Sequence, residues 1–517
     1  MLNLPILKTK SQLKKWRNQQ QGQINFVPTM GSLHKGHKQL IEVAQTISGK
    51  ESDAVLVSIF VNPLQFGPNE DFEKYPREIE KDCQIALDSG ANAIWAPQLE
   101  DIFPGGIDSH FQLKAPINLI SHLCGAMRAK HFDGVATVVI RLLNLVKPNT
   151  LILGEKDWQQ LIILKKLIKD LNLNLKVKSV PTIRDNDGLA ISSRNKYLSQ
   201  AEREKALNLP SKLSTVAKNF FDGKNIDLKT IKTSLAANDL TVEYLEIVNP
   251  ENLQLIENPS KLCLLAAAVH IGSTRLIDHK FLMNRYPIVA IDGPAGAGKS
   301  TVTKIFAKKM GLTYLDTGAM YRAVTWLIQE KNIDPQDEKK VGMTLKDLNL
   351  HLEISNSGNQ KVFVNNQEVS HEIRSPEVTK NVSVIASQIG VREIMTAQQK
   401  QIGKKGGIVA EGRDIGSTVF PDAELKIFLT ATTKERAKRR AIDLKNHGFH
   451  VPELLELEEQ IQERDRLDST REISPLVKPI DAEELVTDGM HIEEVVETII
   501  EIFRNKIAEE VWPSPIN

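Results

Sequence analysis

Cysteine is scarce in this chain: three residues in 517, at positions 83, 124 and 263, odd in number and far apart. That excludes a disulfide framework and a Cys-based zinc site, and it fits a reducing, cytoplasmic setting in which thiols serve packing. Net charge is lacking as well. The 66 Lys and Arg against 65 Asp and Glu leave +1, so no overall field draws nucleic acid or an acidic membrane surface. An anionic substrate has to be held by local clusters. Long apolar runs are also missing. The longest, residues 262–271, is about half the ~20 residues that a membrane span needs, and residues 1–16 show no secretory cleavage site. There is no internal repeat, no low-complexity tract and no Gly/Ser linker. Neither a membrane nor a nucleic-acid partner is expected.

What remains is ordinary globular composition, 41% hydrophobic and 25% charged, in a chain too long for one core. Short apolar runs at 54–60 (AVLVSIF), 151–153, 288–291 and 427–429 alternate with longer stretches of helical period. That is the rhythm of βα units around parallel sheets, an α/β fold class with ligands at the carboxyl ends of strands. A boundary is expected between 282 and 286, giving domains 1–282 and 283–517. The first divides into a core, 1–198, and a smaller α+β subdomain, 199–282.

In the second half, the run PIVAID leads into Gly293-Pro294-Ala295-Gly296-Ala297-Gly298-Lys299-Ser300-Thr301, followed by a helix-like stretch. This is a P-loop in its strand–loop–helix setting, with backbone amides and a helix N-terminus facing phosphate. Lys299 would reach the β- and γ-phosphates of ATP, and the Ser300 hydroxyl would coordinate Mg²⁺. No guanine-reading N-K-x-D signature follows. Instead arginines recur in small motifs: Asp316-Thr317-Gly318-Ala319-Met320-Tyr321-Arg322, Val391-Arg392, Gly412-Arg413-Asp414, and 463–471 (ERDRLDSTR). Fixed guanidinium forks suit a site where several phosphates meet. Arg436 and Arg439, on a helix outside these motifs, read as solvated or lid residues.

LDTGAMYR, EGRDIG with VFPDAELKIFL, and ERDRLDSTREISPL together resemble the bacterial cytidylate kinase family, from about residue 286 to near the C-terminus. The resemblance implies a P-loop nucleoside monophosphate kinase domain, with ATP-Mg²⁺ as donor and CMP or dCMP as acceptor. Thr317 and Arg322 would contact the monophosphate. Ser383, Arg413 and Asp414 would read cytosine, and Arg392 would bind the acceptor phosphate. Arg464 and Arg471 would stabilise the transferring phosphoryl group, and Asp468 would hold the sugar. Residues 351–374 would form a small β insertion over the acceptor.

In the first half, the strand-like stretch 24–28 leads into Thr29-Met30-Gly31-Ser32-Leu33-His34-Lys35-Gly36-His37. Two imidazoles three residues apart share one face of a helix start, where they can bind phosphates and charge growing on an α-phosphate under attack. A zinc pair is the alternative reading, but no third ligand sits nearby. Two further clusters, Gly154-Glu155-Lys156-Asp157-Trp158-Gln159-Gln160 and residues 184–195 with Ser192-Ser193-Arg194, supply phosphate counter-charge and hydroxyl donors.

PTMGSLHKGH, FVNPLQF, GEKDWQQL and DGLAISSRN resemble pantothenate synthetase (pantoate–β-alanine ligase) over roughly residues 1–282. The resemblance implies a Rossmann-like nucleotidyl-transferase domain that makes pantothenate from pantoate, β-alanine and ATP through a pantoyl-adenylate. Met30, Gly31, Ser32, Leu33, His34, Lys35, Gly36, His37, Gly154, Glu155, Lys156, Asp157, Ile183, Ile191, Ser192, Ser193 and Arg194 would contact ATP. Gln65 and Gln160 would hold pantoate or β-alanine. His37 stands out for proton donation or charge stabilisation, with His34 beside it, and the family's dimerisation implies a homodimer through this half. One departure stands out: the family's Arg-Pro-Gly-His turn reads Arg128-Ala129-Lys130-His131 here, and Ala-Lys cannot copy the φ preferences of Pro-Gly. A plain dinucleotide-forming nucleotidylyltransferase, or a degenerate nucleotide-binding module, would be the competing readings.

Overall fold

The computed structural model describes residues 4–67, 70, 72–259, 262–354, 360–446, 448 and 450–513. The chain divides into two compact units, Met1–Asn284 and Arg285–Asn517.

The first unit is built on six strands: β1 (Ile6–Leu7), β2 (Ile24–Thr29), β3 (Ala54–Ile59), β4 (Ala93–Trp95), β5 (Thr150–Gly154) and β6 (Lys176–Val180). They lie in the order β1-β4-β3-β2-β5-β6, every pair parallel. Sequences such as INFVPT and AVLVSI are apolar on both faces because helices cover both sides of a parallel sheet. Val27, Ile41, Val57, Ile94 and Ile152 form the core on one side. The strand order turns at β2, so the crevice outside the carboxyl ends of β2 and β5 is the expected ligand position. The segments Met30–His37 and Glu155–Asp157 leave those two ends. Beyond residue 198, three helices (Gln200–Ala206, Asn208–Phe221, Leu228–Ala236) cover an antiparallel sheet of β7 (Thr241–Val248), β8 (Cys263–Ile271) and β9 (Thr274–Leu282).

The strands of the second unit are β10 (Ile288–Asp292), β11 (Thr313–Asp316), β12 (Leu350–Ile354), β13 (Gln360–Val364), β14 (Gln367–Glu368), β15 (Ile408–Gly412), β16 (Leu425–Thr430) and β17 (Glu483–Val486). Five of them form a parallel sheet in the order β11-β15-β10-β16-β17. The central β10 is buried throughout and ends at the P-loop. One apolar cluster lies around Met320, Val324 and Ile328, and another around Phe306, Ile499 and Phe503. The antiparallel strands β12, β13 and β14 are the expected β insertion. Residues 355–359 of that insertion lie outside the described residues.

Candidate active sites

In the first unit a cavity of about 280 Å³ opens at the ends of β2 and β5. Its wall takes in Met30, His34, Gly36, His37, Gln65, Gly154, Glu155, Lys156, Asp157, Gln160, Ile183, Ile191, Ser192, Ser193 and Arg194. The lining does not include Gly31, Ser32, Leu33 or Lys35. Gly31 and Ser32 take positive φ, 84° and 52°, and the buried Asp82 accepts hydrogen bonds from the amides of Ser32 (2.9 Å) and Leu33 (2.7 Å). These residues shape the turn, while the side chains on either side of it face the cavity. Lys35 is exposed and lies 3.7 Å from Asp185.

The two imidazoles meet, but not as neighbours within one helical turn. His34 is the extended N-cap of the helix Lys35–Thr46, and its Nδ1 accepts from the Gly36 amide at 3.2 Å. That folds its ring back onto His37, with centroids 4.1 Å apart. Burial, then Lys156 and Lys196, lower the pKa of His34 to about 4. Burial, then His34 and Lys156, push His37 well below its ordinary value. Burial and the positive charge of Lys156 therefore keep both rings neutral near pH 7. His37 Nδ1 is buried with no hydrogen-bond partner among the described residues.

Gln65 is held from behind. Its carbonyl accepts from Arg128 Nη2 at 3.2 Å and meets His131 Nδ1 at 2.7 Å. Arg128 Nη1 lies 3.1 Å from His131 Nε2. A guanidinium only donates, so Nε2 is the acceptor and Nδ1 carries the proton toward Gln65. Glu70 completes the set through Arg128 Nε at 2.7 Å. The Ala-Lys departure leaves this geometry in place because Lys130 itself takes the left-handed conformation, φ 63° and ψ −1°. Arg128 and His131 lie in the turn that the sequence flagged, whereas Asp82 and Glu70 carried no local signal, since their partners lie 49 to 58 residues away.

In the second unit the P-loop glycines are set by close approach. A Cβ at Gly293 would meet the Leu429 carbonyl oxygen at 2.0 Å, and Gly296 and Gly298 take φ of 76° and 85°. Lys299 Nζ donates to the carbonyls of Gly293 and Pro294, both at 2.7 Å. Burial is the first cause of its strongly lowered pKa, followed by the charge of Arg413. Ser300 Oγ donates to Glu411 Oε1 at 2.6 Å, and Tyr314 OH to the same oxygen at 2.7 Å. Burial raises the pKa of Glu411, and its Oε2 has no partner among the described residues.

The motif arginines are paired by carboxylates. Arg322 meets Asp316 at 2.9 Å, and Arg413 meets Asp468 at 2.8 Å. Arg392 and Arg471 both bind Asp414. Arg464 is half-buried, and its Nε is buried with no partner among the described residues. Burial, then Arg413, lower its pKa to about 10. Thr317 Oγ1 donates to the Glu411 carbonyl at 2.7 Å. Ser383 is half-buried on the helix Pro376–Ser387. The expectation for Arg436 and Arg439 has to be corrected. Arg436 is 5% exposed, pairs with Asp465 (Nη1 at 2.9 Å) and donates to the P-loop carbonyl of Ala295 at 3.1 Å. Arg439 donates to the carbonyl of Ala297 at 3.3 Å. They brace the phosphate loop because their helix (Thr433–Asn446) starts just beyond the end of β16, next to β10.

Both units thus gather their motif residues at the end of a central parallel strand, an imidazole pair in one and a P-loop in the other. The family model for pantoate-beta-alanine ligase matches residues 5–281, and that for cytidylate kinase matches residues 289–505. A bifunctional pantoate ligase/cytidylate kinase from Prochlorococcus marinus is 61% identical, over 99% of either chain. The chain belongs to the bifunctional pantoate ligase/cytidylate kinase family. A member from a Synechococcus species is 56% identical over 95% of this chain and 100% of its own. The pantothenate synthetase structure from Thermus thermophilus covers 54% of this chain and 99% of its own, at 37% identity and a TM-score of 0.50. The chain is a ligase and a phosphotransferase in one polypeptide, and both activities use ATP. Among the described residues no helix is long and apolar enough to cross a membrane.

Proposed function

We propose that the first unit joins pantoate to β-alanine in the 280 Å³ cavity and that the second phosphorylates CMP or dCMP beside the P-loop. In the first reaction the pantoate carboxylate attacks the α-phosphorus of ATP and pyrophosphate leaves. The β-alanine amine then attacks the acyl carbon and AMP departs. His34 and His37, neutral and packed ring to ring at 4.1 Å, donate hydrogen bonds to the phosphates without adding charge. Lys156 and Arg194 supply the positive charge, and Ser192 and Ser193 donate to phosphate oxygens. Gln65 and Gln160 hold pantoate through amides that leave its carboxylate nucleophilic. The observation that carries this reading is the imidazole pair at a helix start opening on the same cavity as both glutamines.

In the second reaction a phosphate oxygen of CMP attacks the γ-phosphorus of ATP and ADP leaves. The ammonium of Lys299 exchanges its two loop carbonyls for phosphate oxygens. Arg464 and Arg471 face the transferring group, while Arg322 and Arg392 hold the acceptor phosphate. Ser383, Arg413, Asp414 and Asp468 hold the base and sugar, with Thr317 beside them. Mg²⁺ fits the hard oxygen donors Ser300 Oγ and Glu411 Oε2, the latter without a partner among the described residues; when bound it would neutralise charge on the triphosphate. We place the protein in the cytoplasm as a homodimer through its first unit, acting on small molecules and not on nucleic acid or membrane.

Reciprocal substitution tests the reading. Lys299→Ala removes CMP phosphorylation and leaves pantothenate formation intact, and His37→Ala does the reverse. Loss of both activities from either change would refute two separate centres.

A further inference from the structure

Asp292 is the last residue of β10, directly before the P-loop, and it is 2% exposed. Its carboxylate does not face the loop that follows. Oδ1 accepts from the Ile415 amide at 2.8 Å and Oδ2 from the Gly416 amide at 2.7 Å. Those amides open the π-helical turn Ile415–Val419, where the first backbone donors of a helix have no partner of their own. The turn begins directly after Arg413 and Asp414. Arg413 is tied to Asp468 at 2.8 Å, and Asp414 binds Arg392 and Arg471. The groups that hold the acceptor therefore hang on a segment whose main chain is pinned at one carboxylate. The approach is close: a Cβ on Gly416 would lie 3.3 Å from Asp292 Oδ2 and 3.1 Å from the Lys426 stem.

We propose that Asp292 is a positioning residue for the acceptor nucleotide, fixing Arg413 and Asp414 through the amides of Ile415 and Gly416. It touches no substrate. An amide in its place keeps one acceptor but turns an N–H toward an N–H, so one of two buried donors loses its partner. The inference rests on the kinase reading given above.

The test is steady-state kinetics on the full chain with CMP and ATP varied separately. Asp292→Asn is expected to raise KM for CMP by about tenfold, the size of one lost buried hydrogen bond, while KM for ATP moves by less than about threefold. Gly416→Ala, which crowds the same carboxylate from the other side, is expected to show the same split. The double variant should be no worse than the poorer single one, because both break one contact. Equal changes in both KM values, or additive effects, would overturn the proposal. So would a drop in kcat alone at unchanged KM for CMP. A melting temperature of the kinase unit that falls without the KM split would assign Asp292 a purely structural role and also overturn it. If the unsubstituted chain failed to phosphorylate CMP, the kinase reading itself would fail, which is a separate result.

Discussion

The neutral state of His131 gives a prediction that can be worked through from the structure. The ring is 7% exposed, and Arg128 Nη1 sits 3.1 Å from its only free lone pair. A proton arriving there would lose a hydrogen bond and face a guanidinium. Burial first, and Arg128 second, lower the pKa from 6.5 to about 4. A shift of that size corresponds to roughly 3 kcal/mol. The sign follows from which state binds the proton. The unfolded chain takes it up below about pH 6.5, the folded one only below about pH 4. Stability from this ring is thus complete above pH 6.5 and lost progressively as pH falls toward 4. The assay is a pH titration of imidazole nitrogen shifts by NMR, with urea unfolding of the ligase unit at matched pH. The His131 signal should stay that of a neutral ring protonated at Nδ1 down to about pH 5, and the urea midpoint should drop below pH 6.5. A His131 midpoint between 6 and 7 would refute the Arg128–His131–Gln65 relay.

Other expectations follow from single positions. Lys130→Gly should stabilise the ligase unit by about 0.5–1 kcal/mol, because glycine carries no Cβ penalty in the left-handed region but loses more chain entropy. Calorimetry should find its Tm up by roughly 1–2 °C, and a fall would contradict the strain argument. Asp82→Asn should strand one of the amides of Ser32 and Leu33 and cut pantothenate formation about tenfold, with CMP phosphorylation unchanged; a loss confined to the kinase would count against it. Gly293→Ala should abolish CMP phosphorylation, since the new Cβ would meet the Leu429 carbonyl oxygen at 2.0 Å. Retained activity in a rate assay would show that the loop is less tightly packed than described.

Much of this was legible in sequence because the chemistry there is local. The P-loop spacing, the His34–His37 pair and the arginine motifs each lie within ten residues or so, and a strand-end position follows from the βα rhythm. What escaped was long-range. Asp82 lies 49 and 50 residues from the amides it caps, and Asp292 lies 123 and 124 from its own. Both units use the same device, a buried carboxylate gripping two consecutive amides of a nucleotide-binding segment, and neither instance leaves a spacing to read. Arg436 and Arg439 escape a sequence reading for the same reason, since the carbonyls they meet lie 141 and 142 residues away. A helical arginine looks solvated until the fold sets a P-loop carbonyl against it. The Ala129-Lys130 turn shows the opposite limit: intrinsic preference argued against the left-handed backbone, and tertiary contacts to Gln65 and Glu70 overrode it.

Calorimetric titration of the intact chain with a non-hydrolysable ATP analogue addresses most directly whether two dissimilar grips bind triphosphate in one polypeptide. Two equivalents per chain are expected, falling to one in Lys299→Ala and to one in His37→Ala. Saturation at a single equivalent in the unsubstituted chain would contradict the account.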